Sequence, residues 1–268
     1  FAFFLHNVDE LAEEERRFIL NSENLACINP NTRNCPVFRR GSDAKLVQKI
    51  YSKCPVWVNE IDAFDPWGIT FLRMIDPFSS NWKLETFLLT QLCYLGNGSY
   101  EHVNNHVYVP IYEGKMIHQY DHRLANVVVN PNNPKRPAQP ELIKLNDKYN
   151  SNYFATPQYW VEEKTVVSSL DERGWKSRWI LVQKKVTSPT NERTHLATIV
   201  PISGTTESLH CILALKIAQA SMICCLLANL NSIPFDFVSR QKIGGENFNY
   251  FVLKQLPVIP PDRYTPEL

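Results

Sequence analysis

The feature that most constrains the fold is one long apolar run, residues 209–230. Lys216, Gln219 and Asn229 interrupt this run, so its pattern indicates a helix buried inside the protein rather than one that crosses a membrane. We therefore predict a helix over Glu207–Asn231 that packs against a sheet. Because the strand signals elsewhere are short, the predicted fold class is α+β, with a mixed or largely antiparallel sheet.

Local patterns predict the rest of the sheet and its surroundings. Short runs rich in β-branched and aromatic residues, bounded by turn-forming residues, are typical of strands. The predicted strands are 69–75, 100–111, 159–167, 175–186, 194–201 and 250–253. Residues 82–95 have the spacing of an amphipathic helix, whereas 130–152 are rich in Asn and Pro and are predicted to form a loop.

The N-terminal part changes from acidic to basic. Residues 8–20 are acidic and are predicted to be helical, and residues 39–53 then carry five Lys and Arg side chains against one Asp. Lys45, Lys49 and Lys53 are four residues apart, so a helix places them in one stripe. That stripe fits either a solvated face or a track for phosphates. We predict a helical connector over residues 1–61 and a second domain over 62–268.

The overall charge is almost balanced, since 28 Lys and Arg face 27 Asp and Glu, which gives a net charge of +1. A surface for nucleic acid must therefore be local. The seven cysteines include no C-x-x-C pair, which argues against a zinc ribbon and favours reduced thiols. We expect a cytoplasmic protein without membrane association.

The densest polar cluster is Tyr112–Arg123, which follows an apolar run. His118 and His122 are four apart and could share a metal on a helix, but no third ligand suits that face. Glu113 and Lys115 form an acidic-x-Lys tripeptide, which in many nucleases holds Mg²⁺ and polarises water. A Mg²⁺-dependent nuclease is therefore an alternative, although no convincing partner Asp precedes it.

Several other chemistries lack their motifs. No glycine-rich fingerprint for a dinucleotide or for a P-loop is present, and no Gly-x-Ser-x-Gly elbow occurs. The chain also has no Asn-Pro-Pro-aromatic tetrapeptide and no glycine-rich loop suited to S-adenosylmethionine. We therefore expect no cofactor and no catalytic residue in this chain.

Five segments, in this order, resemble one family. They are Asn29–Arg39 (NPNTRNCPVFR), Tyr112–Arg123 (YEGKMIHQYDHR), Asn191–Thr194 (NERT), Phe235–Gly245 (FDFVSRQKIGG) and Leu253–Pro257 (LKQLP). The set is similar to the C-terminal target-recognition region of large adenine-specific DNA methyltransferases of restriction-modification and phage-defence systems. That region is in turn similar to the recognition domains of type I specificity subunits.

The resemblance implies a role in reading double-stranded DNA. It implies that methyl transfer, with S-adenosylmethionine, belongs to a methyltransferase core of the same polypeptide, which is absent from this chain. Lys and Arg contacts to phosphates would fix the register on the duplex. The candidate DNA-binding residues are Lys45, Lys49, Lys115, Arg123, Arg193, Arg240 and Lys242. A structural connector without DNA contacts is the remaining alternative.

Overall fold

The structure, a computed structural model, describes residues 5–75, 82–84, 92–95, 98–102, 106–217 and 219–265. The chain divides into two compact units. The first unit comprises residues 1–69, 187–195 and 219–268, and the second comprises 70–186 and 196–218. The predicted boundary near residue 62 does not coincide with this division, because the C-terminal segment groups with the N-terminal one.

Two sheets and a separate hairpin form the second unit. The strands are β1 (Ile69–Leu72), β2 (Trp82–Leu84), β3 (Leu92–Tyr94), β4 (Tyr100–His102), β5 (Val107–Tyr112), β6 (Ala125–Val129), β7 (Ala138–Leu142), β8 (Tyr159–Glu162), β9 (Trp179–Lys184), β10 (Ala197–Pro201), β11 (Gly204–Thr205) and β12 (Leu209–Ala214). One sheet has the order β1-β12-β9-β10, and the other has the order β2-β8-β5-β4-β3, with β11 beside β5.

The pairing within these sheets is mainly antiparallel. β9 pairs antiparallel with β10 and with β12, and the second sheet is antiparallel apart from the parallel pair β11–β5. Among the described strands, β6 and β7 pair with each other and with no other strand. Together with the helices, this arrangement confirms the predicted α+β class.

The helices are α1 (Ser22–Ile28), α2 (Gly41–Tyr51), α3 (Leu145–Tyr149), α4 (Glu163–Asp171), α5 (Ala220–Leu230), α6 (Ile233–Lys242) and α7 (Tyr250–Lys254). Short 3-10 helices occur at Val8–Ala12, Glu14–Arg16, Gly114–Met116 and Pro261–Arg263. α3 and α4 belong to the second unit and the others to the first. At the start of α6, the Ser232 hydroxyl accepts the Phe235 N–H at 3.3 Å, and a proline in the first turn suits a helix start.

The long helix predicted over Glu207–Asn231 is wrong in its first half. Residues 209–214 form β12, in which all six residues are buried, and α5 begins only at Ala220. β12 lies between two neighbouring strands of its sheet. A strand covered on both faces reads as a continuous apolar run, and periodicity alone does not separate it from a buried helix.

Five further predictions need correction. Residues 82–84 and 92–94 are strands rather than parts of an amphipathic helix, and 85–91 lie outside the described residues. The predicted loop at 130–152 contains β7 and α3, and the strand predicted over 159–167 becomes α4 after Glu162. Residues 250–254 are helical rather than extended, and the acidic N-terminal helix is two 3-10 turns. Short segments such as these follow tertiary contacts more than their own propensity.

Other predictions are confirmed. α2 matches the predicted basic helix, and the paired strands β4 and β5 lie within the strand region predicted at 100–111. β9 and β10 lie within the strands predicted at 175–186 and 194–201 and pair with each other. Across the described residues, no individual helix has the length and apolar character needed to cross a membrane, whereas α5 and α6 together, bent by 57°, satisfy both criteria.

Candidate nucleic-acid interface

The exposed face of α2 carries two lysines, Lys45 and Lys49. Ala44, Val47 and Tyr51 are buried on one side of this helix, so the helical period turns Lys45 and Lys49 to solvent. Tyr51 also anchors the helix, because its hydroxyl donates a 2.5 Å hydrogen bond to the Gln255 carbonyl oxygen. Within the described ranges, neither lysine has a hydrogen bond or an ion pair. Their ammonium groups are therefore available to an external anion.

Exposed positive charge continues beyond both ends of this helix. Arg40 precedes its first residue and Lys53 follows its last turn, and both side chains are exposed. Asp43 is the one acidic residue between them and is only partly exposed. Arg40, Lys45, Lys49 and Lys53 are referred to below as the α2 basic face. Such a face attracts polyanions in a way that screening by salt weakens.

Lys242, another candidate, contacts the protein itself. Its Nζ donates to the Ile28 carbonyl at 2.7 Å, to Asn29 Oδ1 at 2.6 Å and to the Gln255 carbonyl at 2.9 Å. It also lies 4.9 Å from the centroid of the Tyr51 ring. Burial lowers the pKa of Lys242 to about 7, and the nearby Cys27 partly opposes this effect. The three acceptors take up all the protons of the ammonium group, so Lys242 acts as an internal crosslink.

Arg240 holds the loop that contains the NERT segment. Its guanidinium donates to the Pro189 carbonyl at 3.1 Å and to the Glu192 carbonyl at 3.0 Å, and it pairs with Asp236 at 3.1 Å. Asp236 Oδ1 in turn accepts the backbone N–H groups of Thr194 at 2.8 Å and His195 at 2.7 Å. A planar guanidinium with five donors suits this multiple contact. The charge of Arg240 is therefore already engaged within the protein, where it stabilises the loop.

Arg193 lies inside this loop and differs from Arg240. It is partly exposed, and the described part of the chain offers its guanidinium no hydrogen bond or ion pair. Since the Asp236 carboxylate holds the backbone of the next two residues, the Arg193 side chain leaves from a fixed segment. Of the candidates in the C-terminal half of the chain, it is the one with an uncommitted charge.

Three of the five segments that carry the resemblance, 29–39, 235–245 and 253–257, contribute residues to the lining of one cavity of the first unit. The cavity has a volume of about 1060 Å³ and is lined by residues 29–39, 188–190, 240–246 and 251–255 in part. Arg39, Arg240 and Lys242 are its basic lining residues, and Gly244 and Gly245 form part of one wall. Motifs that lie far apart in the sequence thus share one structural neighbourhood, which the sequence order alone did not indicate.

The Tyr112–Arg123 cluster belongs to the second unit, and its cations are engaged. Lys115 Nζ lies 3.0 Å from Glu113 Oε2 and donates to the Ala138 carbonyl at 3.1 Å. Arg123 donates to the carbonyl oxygens of Asn150 at 3.0 Å, Tyr153 at 3.1 Å and Lys148 at 2.8 Å. Both side chains therefore connect the cluster to the segment that follows it.

The histidines of this cluster lie in a tight turn. The backbones of His118 and Asp121 pair through two hydrogen bonds of 2.8 and 3.2 Å, and Tyr120 between them has a φ of 59°. Burial raises the pKa of Asp121, but hydrogen bonds from Lys148 and from the Arg123 N–H outweigh it, so the pKa lies below its usual value. Among the described residues, no group of three or more His, Cys, Asp or Glu side chains is arranged to hold a metal ion.

The β6–β7 hairpin was not predicted from the sequence. Residues 130–152 were predicted to form a loop, although the run Ala125–Val129 before the Asn-Pro turn is the usual signal of a first hairpin strand. The tip of the hairpin carries Lys135 and Arg136, and both are exposed.

The described residues define a two-unit α+β protein with an exposed basic helix face and a separate hairpin. No family model, no curated protein and no solved structure matches the chain. A function assigned to it therefore rests on its own residues.

Proposed function

We propose that this chain is a sequence-specific DNA-recognition module of an adenine-specific DNA methyltransferase of a restriction-modification system. In this proposal the chain binds double-stranded DNA. The methyl transfer and its S-adenosylmethionine belong to a methyltransferase core of the same polypeptide. The observation that carries the proposal is the α2 basic face, whose lysines are exposed and have no partner within the described ranges.

Unpaired lysines on a rigid helix suit phosphates for a physical reason. Duplex DNA carries condensed counterions, and each Lys or Arg that neutralises a phosphate releases them, which favours binding. A lysine that already has a carboxylate partner would have to lose that pair first. Lys45 and Lys49 have no such partner among the described residues, so they lose no ion pair on binding.

The near-neutral chain adds a second argument. With a net charge of +1, the protein as a whole exerts little attraction on a polyanion. A concentrated basic face on such a chain directs the polyanion to one side. The five segments that resemble the recognition region support the same function.

The experiment measures the affinity of the 268-residue chain for a short labelled duplex of mixed sequence by fluorescence anisotropy. We compare wild type with Lys45→Ala/Lys49→Ala between about 50 and 200 mM salt. The control is Lys164→Ala/Lys176→Ala, which removes the same charge from lysines that pair with Glu162 and Asp171.

We expect the affinity of the wild-type chain to fall as salt rises. The α2 variant should bind more weakly to every duplex, and the slope of log affinity against log salt should decrease by about one for each lysine. The control variant should stay close to wild type. Binding without salt dependence, or an α2 variant that matches the control, would overturn the proposal for this face.

A further inference from the structure

We propose that the β6–β7 hairpin enters the major groove of the duplex and that its tip, residues 130–137, reads base edges. This inference rests on the proposed function and assigns base reading to one segment. Phosphate binding by the α2 basic face is a separate part of the interface. The two can therefore be tested independently.

The hairpin is a regular two-stranded ribbon. Five residue pairs run from Ala125–Leu142 to Val129–Ala138. The ladder continues at one end with a 3.0 Å bond from the Ile143 N–H to Leu124, and at the other with a 2.7 Å bond from the Asn130 N–H to Pro137. Seven residues per strand at about 3.3 Å each make a ribbon roughly 20 Å long.

The base of the ribbon is fixed in the second unit. Ala125, Val127 and Ile143 are buried, and the Val127 N–H donates to the Thr156 carbonyl at 2.8 Å. Asn126 adds two bonds, since its Oδ1 accepts the Thr156 N–H at 2.9 Å and its Nδ2 donates to the Tyr153 hydroxyl at 2.8 Å. β6 changes from buried to exposed beyond Val127, whereas β7 is exposed from Gln139 to Leu142 and its first residue, Ala138, packs partly buried against the core of the unit. The exposed tip, residues 130–137, therefore extends from a ribbon that is anchored along its length.

Lys115 and Arg123 brace this ribbon. Lys115 donates to the carbonyl of Ala138, the first residue of β7, and Arg123 gathers three carbonyls from residues 148–153 that follow the ribbon. Both are thus positioning residues for the hairpin. Their contacts give the Tyr112–Arg123 cluster a role that does not need direct contact with phosphates.

The tip is held in shape by its own residues. Asn130 Oδ1 accepts the Asn132 N–H at 3.0 Å, and Asn133 Oδ1 accepts the Arg136 N–H at 3.2 Å. Prolines at 131, 134 and 137 further restrict the backbone. A tip that is ordered before binding loses less conformational entropy when it enters a groove.

Three tip side chains remain for an external partner. Asn132, Lys135 and Arg136 are exposed, and the described residues provide no polar contact to their side chains. An Asn amide pairs with the N6 and N7 edge of adenine, and Arg or Lys pairs with O6 and N7 of guanine. The tip has two cations and no acidic residue, which matches the negative potential of the groove.

The dimensions of the ribbon also fit. Two strands lie about 4.8 Å apart, and the major groove, about 12 Å wide, admits a two-stranded β-ribbon. Val128, Val129 and Leu142 are exposed along the ribbon, at 46%, 47% and 69%. Such apolar groups contact thymine methyl groups in the major groove. They would equally suit a protein partner, but the cationic tip favours DNA.

The test compares the sequences that each variant selects from a pool of random duplexes. Wild type, Asn132→Ala/Arg136→Ala and Lys45→Ala/Lys49→Ala are each used to recover bound duplexes for sequencing. Thermal unfolding tests whether the tip variant is folded. We expect that it is, because Asn132 and Arg136 are exposed. A second tip variant replaces residues 130–137 by Asn-Gly, a two-residue turn that keeps the strands paired.

We expect the α2 variant to bind more weakly while selecting the same sequence as wild type. The tip variants should lose discrimination of about tenfold or more at one or more base pairs. Tip variants that select the wild-type sequence overturn the inference while the proposed function stands. The inference also fails if the tip variants lose affinity equally for all duplexes, or lose only an association with another protein. A wild-type chain that binds no duplex overturns the proposed function itself.

Discussion

The Nζ atom of Lys242 donates a 2.7 Å hydrogen bond to the carbonyl oxygen of Ile28, which joins α6 to the end of α1 across 214 positions of the sequence. The same ammonium group reaches Asn29 and Gln255. A cation that the resemblance assigns to DNA binding is thus part of the interior of the first unit. Removing this cation should therefore affect first the stability of the protein and only then its binding to DNA.

We therefore predict that Lys242→Met destabilises the protein by about 1–3 kcal/mol, because three acceptors lose their donor. The cost should depend on pH. The pKa of Lys242 in the folded protein is lowered to about 7, whereas an unfolded lysine titrates near 10.4. Between these values the unfolded state binds more protons, so this lysine makes the wild type more stable as pH rises. Urea unfolding at several pH values measures the difference.

The gap between wild type and Lys242→Met should consequently widen from about pH 7 to about pH 10. Lys45→Met provides the control, since Lys45 is exposed on α2. A gap that does not change with pH would show that the pKa of Lys242 is not lowered in the folded protein.

His195 should make the protein sensitive to acid. It is buried between the edges of Phe235 and Phe248, at ring distances of 4.8 and 5.5 Å. Burial lowers its pKa to about 4, and Asp236 partly opposes this effect. Because an unfolded histidine has a pKa near 6.5, the unfolded state binds more protons between these values, and stability falls as pH is lowered through them.

His195→Leu should remove part of this acid-induced loss of stability. The part removed should be on the order of 3 kcal/mol between about pH 6.5 and 4. His210, whose pKa burial also lowers to about 4, should account for a further part in both proteins. Thermal unfolding across this range measures the effect, with His118→Gln as an exposed control. Identical pH profiles for wild type and His195→Leu would refute the prediction.

Asp236→Ala should destabilise the first unit strongly. The change leaves the N–H groups of Thr194 and His195 without their acceptor and Arg240 without its carboxylate. Loss of one partner of a buried pair typically costs about 3–5 kcal/mol. Asp236→Asn retains an oxygen for the two N–H groups and should cost less. Chemical denaturation compares the two, and equal costs would show that the carboxylate charge and its oxygen are not separable here.

Gly204→Ala should destabilise the second unit by about 1–3 kcal/mol through overpacking. A Cβ at this position would lie 2.6 Å from Ile75 and 2.9 Å from Val161. Gly244→Ala is the matched control, because a Cβ there meets nothing within 4 Å, and it should stay within about 0.5 kcal/mol of wild type. Thermal unfolding of the two variants distinguishes a steric effect from a general cost of replacing glycine. Similar stability for both would contradict close packing at Gly204.

Local pattern was sufficient for elements with one buried and one exposed face. α2 shows this, since its apolar and basic residues alternate with the helical period and the structure places them on opposite sides. The hairpin of β9 and β10 was likewise predictable from a turn between two β-rich runs. In such elements the periodicity of apolar and polar residues shows which face is exposed to water.

Local pattern failed where both faces are covered or where the segment is short. β12 is buried throughout and has no alternation that distinguishes it from a helix. α7 has five residues and takes its conformation from its surroundings. The β6–β7 ribbon was hidden by its Asn- and Pro-rich tip, which resembles loop in composition.

The sequence by itself determined the α+β class, the basic face with Lys45 and Lys49, and the motifs that suggest DNA recognition. Only the tertiary structure decided which cations are free. Lys115, Arg123, Arg240 and Lys242 all find acceptors within the protein. The physical reason is that a cation is available to a ligand only if no neighbour in the folded protein already bonds with it, and the acceptors of these four cations include carbonyl oxygens 23 to 214 residues away in the sequence.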